Sequence, residues 1–141
     1  MFNLNKQADY GLIILSLLIK EDKQTSLTSL IKTTKLPQRF LARIAATLVH
    51  NGLLKSKEGR AGGYTVTKKI NTISLFEYLK IFSGEVNFCS CTAKSCEYSK
   101  ICQHKDFLQK RLNKLVTAQL KKIRLLELFK KLFENYDKTA S

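Results

Sequence analysis

The sequence is poor in residues that bend or interrupt a chain. In 141 residues there is one proline, Pro37, no tryptophan, and six glycines, all between Gly11 and Gly84. Together with 44% hydrophobic and 26% charged residues, this excludes collagen-like, low-complexity and disordered classes. No long apolar run is present. The longest stretch, residues 11–19, falls far short of the ~20 residues of a transmembrane helix, so no membrane partner is expected. The first residues lack the small-residue cleavage site of a secretory signal, and Asp9 stands where an apolar stretch would begin, so a cytoplasmic location is expected. Histidine is limited to His50 and His104, and no paired carboxylates or Ser/His/Asp order suggest catalysis, so an enzyme is not expected. Acidic residues are scarce as well. Eleven Asp+Glu stand against 25 Lys+Arg, a formal net charge of +14 that disfavours basic partners and favours polyanions, nucleic acid first.

What is present has a clear order. Apolar residues at helical spacing predict a helix over residues 6–20. Ser26 is placed to cap a short helix to about residue 33, and Pro37 to open another that runs to His50 and is stopped by Asn51-Gly52. Two extended runs, residues 53–56 and 64–67, flank a glycine-rich basic segment and predict a β-hairpin. Residues 73–82 read as a helix entered through Thr72 or Ser74. Residues 87–104 lack periodicity and predict a loop. Residues 105–135 contain no Gly or Pro, and their apolar stripe predicts one long helix with more apolar surface than a small neighbouring domain would cover, hence a partner helix.

Two short helices joined by a tight turn, then a hairpin, describe a winged helix-turn-helix. Its second helix buries Phe40, Leu41, Ile44, Ala45 and Leu48 and leaves Gln38, Arg39 and Arg43 outside, where a major groove can be read. Arg60, between glycines at the wing tip, suits a narrow minor groove, and Gly62 and Gly63 allow close backbone approach. The glycines lead into a strand rather than a helix, which excludes a nucleotide-phosphate loop.

The four cysteines, Cys89, Cys91, Cys96 and Cys102, form C-x-C-x4-C-x5-C. Four thiols this close in a reducing compartment point to metal. Zinc knuckles usually place two C-x2–4-C pairs on separate turns, and only Cys91 to Cys96 has that spacing. An iron–sulfur cluster accepts wider loops, and Lys94, Lys100 and Lys105 favour thiolate, so a cluster leads, with zinc and free thiols as the alternatives. His104 is a further candidate ligand.

The segments Ala8-Asp9-Tyr10-Gly11-Leu12, residues 48–54 and Gly59-Arg60-Ala61-Gly62-Gly63-Tyr64, with the Cys91/Cys96/Cys102 triplet before a terminal helix, resemble the IscR/NsrR family of iron–sulfur winged-helix transcription regulators over essentially the whole chain. The resemblance implies a mainly α fold with a small β wing. It implies a DNA-binding domain over residues 1–84, a cluster loop over 85–104, and a dimerisation helix and tail over 105–141. It further implies a homodimeric repressor on a palindromic double-stranded operator, controlled by a two-iron or four-iron cluster held by Cys91, Cys96 and Cys102. Asp9 matches the position at which NsrR-like members supply a fourth ligand from the partner subunit. At the position of the IscR-like histidine ligand stands Lys105, which favours the nitric-oxide-sensing branch. Two departures stand out. Cys89 is an additional thiol and the alternative to Cys91 as ligand, and Glu58 occupies the place of the family's usual wing arginine. The competing class is a basic nucleic-acid-binding module, zinc-stabilised or cluster-free, without sensing.

Overall fold

A computed structural model describes residues 5–86, 97–98, 100–104 and 107–139. Helix α1 (Lys6–Glu21) is capped by the Asn5 side chain, which accepts from the Gln7 N–H, and presents Ala8, Ile14, Leu15 and Leu18 to the interior. Helix α2 (Leu27–Thr34) starts at Ser26, whose hydroxyl accepts from Ser29 N–H, and ends where Lys35 takes the left-handed conformation. Helix α3 (Gln38–His50) follows. Pro37 is its N-cap rather than its first helical residue, and its carbonyl accepts from Phe40 and Leu41 N–H. Leu41, Ile44, Ala45 and Leu48 form its buried stripe, as the spacing predicts, whereas Phe40, expected with them, is half-buried at the edge against Tyr10.

The wing is an antiparallel pair, β1 (Leu54–Lys57) and β2 (Gly63–Val66), with Leu54 opposite Val66 and Lys57 opposite Gly63. The strands are offset by one residue from the sequence expectation. Leu53 is held by its N–H to Leu48 O, finishing α3, while its carbonyl accepts from Thr67 N–H just before the ladder begins. Thr25 adds a one-residue bridge to Tyr64 on the outer side of β2, with N···O distances of 3.0 and 2.8 Å. A 3-10 turn, Lys68–Asn71, leads to α4 (Leu75–Ser83). That helix opens with a capping box in which Glu77 accepts from both the N–H and hydroxyl of Ser74, and Ser74 Oγ accepts from Glu77 N–H.

The single helix expected over residues 105–135 is not continuous. A π-helical stretch (Phe107–Leu112) runs into α5 (Asn113–Lys122), the chain turns extended at Ile123, and α6 (Leu125–Thr139) follows. Nothing in the local sequence breaks the helix here; the cause is tertiary. Leu75 N–H, an orphan donor in the first turn of α4, bonds to Ile123 O at 2.8 Å, and Leu125 N–H bonds to Ile73 O at 3.0 Å. Arg124 adds a guanidinium bond to Thr72 O at 2.6 Å. The turn aims α6 back at the winged helix, where Leu125 and Phe129 are buried in the common core with Leu18, Ile70 and Tyr78. The apolar stripe thus splits: its second half is buried in the core, whereas α5 lies against α4 with Leu120 only half-buried and leaves Leu115 59% exposed. Among the described residues, no helix is long and apolar enough to cross a membrane.

Candidate nucleic-acid interface and thiol site

The packing of α3 by its apolar stripe turns Gln38, Arg39 and Arg43 outward, and all three are exposed. Arg43 is not merely solvated. Its guanidinium lies 5.9 Å from the centre of the Phe40 ring, which meets Tyr10 edge-on at 5.3 Å. This stack ties the outward face of α3 to α1 and restricts the arc Arg43 can sweep. Arg39, a turn earlier, stands at the N-terminal end of the helix.

At the wing tip Arg60 is exposed, and Gly59 takes a positive φ of 102°. Gly62 and Gly63 have a steric duty inside the wing. A Cβ on Gly62 would collide with Lys57 O, and one on Gly63 would lie 2.5 Å from Thr25 O. Sequence reasoning did not single out Gln24 or Thr25, which it read as a polar turn. The Gln24 side-chain amide donates to Ala61 O at the wing tip, across 37 residues, and no local pattern signals it.

Of the candidate ligands for a metal group, Cys89, Cys91 and Cys96 lie outside the described residues. Cys102 is described: a half-buried free thiol on a turn in which its N–H and that of Ile101 bond to Tyr98 O. His104 is exposed. Asp9 is exposed in the first turn of α1, where Asn5, not Asp9, caps the helix. That turn is fastened to α4. The Tyr78 hydroxyl, fully buried, donates to Ala8 O at 2.6 Å, and Asn5 Nδ2 donates to Phe82 O at 3.3 Å. Burial, and secondarily the nearby Asp9 charge, push the Tyr78 pKa far above its ordinary value, so it remains a donor. Gly11 is required at this seam because a Cβ would meet the Tyr78 hydroxyl and the Phe82 ring. Thiols and one exposed carboxylate are suitable donors for an iron–sulfur group, and Asp9 is accessible to a second chain.

A helix-turn-helix followed by a two-stranded wing, with arginines on the outer face of the second helix and at the wing tip, defines the winged-helix class of DNA-binding folds. The chain belongs to the Rrf2 family, described as iron-dependent transcriptional regulators, whose profile matches residues 4–131. The proteins of this family are regulators, not enzymes. The chain is 28% identical over 86 residues to the HTH-type transcriptional regulator CymR of Bacillus subtilis, a match covering 60% of this chain. It spans only 58%, 50% and 62% of the length of three curated relatives, CymR being the last. The solved structure of B. subtilis CymR, described as the global cysteine regulator, superposes with TM-score 0.70 at 24% identity, covering 93% of this chain and 98% of that one. T. potens IscR gives 0.62 at 22% identity, covering 93% and 88%. Both share the fold. The NsrR-like branch expected from Asp9 is not distinguished by these likenesses.

Proposed function

We propose that this protein is a homodimeric transcriptional repressor whose affinity for a palindromic DNA operator is set by an iron–sulfur cluster responsive to nitric oxide. The observation that carries the reading is the conjunction of a winged helix with an exposed Gln38/Arg39/Arg43 face and a C-x4-C-x5-C thiol set in a family of iron-dependent regulators. Gln38, Arg39 and Arg43 read the major groove, Arg60 lies along the minor groove, and Gly62 and Gly63 let the wing approach the backbone. The outer side of α5, where Leu115 is exposed, supplies the contact between two copies, and two-fold symmetry calls for a palindromic site. We further propose a functional division in which residues 1–84 bind DNA, 85–104 carry the cluster and 105–141 provide dimer contacts, with α6 also serving the winged-helix core.

Cys91, Cys96 and Cys102 hold the group, with Cys89 as the alternative to Cys91, and Asp9 of the partner subunit completes the set. When bound, the cluster supplies a redox-active centre able to react with nitric oxide. The carboxylate of Asp9 is a harder and weaker donor than thiolate, so its position is the one most readily exchanged. Asp9 sits on a turn pinned to α4 by Tyr78 and Asn5, and α1 packs against α3 through Tyr10 and Phe40. Release of Asp9 is therefore felt along α1 at the reading helix, provided the two states differ in free energy. Anaerobic purification with iron, sulfide and zinc analysis tests the reading. A brown protein containing iron and acid-labile sulfide is expected; a colourless protein with zinc or no metal would support the cluster-free module instead.

A further inference from the structure

We propose that Gln24 is a positioning residue for DNA recognition, acting through Arg60 by fixing the wing tip against the helix-turn-helix. The wing has four residues on each strand, and a two-stranded hairpin of that size is marginal by itself. Its base is secured by the pairing of Leu54 with Val66, and the tip-proximal end of β2 by the Thr25–Tyr64 bridge. Its tip is not secured by the ladder: residues 58–61 are exposed, and Gly59 needs a conformation that glycine adopts freely. Beneath the tip lies an open groove of about 430 Å³ lined by Leu17, Lys23, Ser29, Thr33 and Arg60. Gln24 spans it, donating its side-chain amide to Ala61 O, the carbonyl immediately after Arg60. Gln24 is itself held two residues before Ser26, the cap of α2, with Thr25 bonded to Tyr64 between them. The strut thus runs from the start of the helix-turn-helix to the residue beside the wing arginine. Glycine at position 62 lets the turn that carries Ala61 close on itself, since a side chain there would strike Lys57 O and Gly59 O. A minor-groove arginine depends on its offset from the recognition helix, and a tip free to swing loses orientation before it loses charge.

This inference rests on Arg60 contacting DNA, as proposed above, and a double-mutant cycle separates the two. Operator affinity is measured at matched salt for the full-length parent, Gln24→Ala, Arg60→Ala and the double variant. Gln24→Met serves as a second variant that keeps side-chain length without the donor. Gln24→Ala and Gln24→Met are expected to weaken binding about three- to tenfold in the parent and by less than about twofold in the Arg60→Ala background. Thermal midpoints should be unchanged, because Gln24 is exposed. Loss of the same size in both backgrounds, or no loss in the parent, overturns the positioning role. An Arg60→Ala variant that binds like the parent overturns the wing contact itself.

Discussion

Truncating Phe129 to alanine tests whether α6 belongs to the winged helix or only to a dimer appendage. Phe129 is 1% exposed, in the same core as Leu18, Ile70, Ile73 and Tyr78. Replacing a buried phenylalanine by alanine removes its transfer free energy and leaves a cavity, costing about 3–5 kcal/mol. For a protein of this size that corresponds to a melting point lower by about 6–20 °C. A domain whose total stability is about 5–15 kcal/mol loses a large share of it. Urea unfolding followed by circular dichroism, at two protein concentrations at least tenfold apart, is the assay. The loss should appear as a lower midpoint with an unchanged slope, and should be the same at both concentrations. A loss below about 1 kcal/mol, or one that vanishes at high concentration, would refute the assignment of α6 to the core of its own chain.

Three further outcomes follow from particular groups. Leu115→Asp, on the outer side of α5, should convert a dimer to a folded monomer in sedimentation at micromolar concentration; a parent that is already monomeric would remove this face as the interface. Arg39→Ala should lose about 1–3 kcal/mol of discrimination between operator variants at one base position, read by competition binding, if its guanidinium pairs with a base. The Ser74 N–H and then the Ser74 hydroxyl hold the Glu77 carboxylate pKa below its ordinary value. Its contribution to stability is therefore present above the unfolded-state pKa and lost as pH falls through the lowered folded value. Glu77→Gln should show a shallower loss of stability than the parent on acidification below about pH 4.5, in denaturant titrations at stepped pH; parallel curves would contradict the capping role.

Much of the fold is legible in the sequence where short-range chemistry decides it. Ser26 and Ser74 cap the helices they precede, the spacing of Leu41, Ile44, Ala45 and Leu48 marks the buried side of α3, and the glycines of residues 59–63 mark the wing. What is not legible depends on partners far along the chain. The break at Ile123 has no proline or glycine behind it; it is made by backbone bonds to Ile73 and Leu75, some fifty residues away. The uninterrupted apolar stripe therefore reads as one helix and one partner surface, although its second half is buried in the core of its own chain and its first half leaves Leu115 exposed. The same holds at the candidate sites. Gln38, Arg39, Arg43 and Arg60 stand out by type and position, whereas Gln24 and Tyr78 act through carbonyls 37 and 70 residues distant and carry no local signature.

The central claim is that one bound group changes how tightly these reading heads hold DNA. It is tested most directly by fluorescence anisotropy of a duplex selected from random sequence, titrated at fixed salt with anaerobically reconstituted protein and with the same preparation after nitric oxide treatment. A coupling of ordinary allosteric size predicts affinities that differ by about tenfold or more, with the parent thiol set intact and the dimer retained. Equal affinities for the two preparations, within about twofold, would contradict the account.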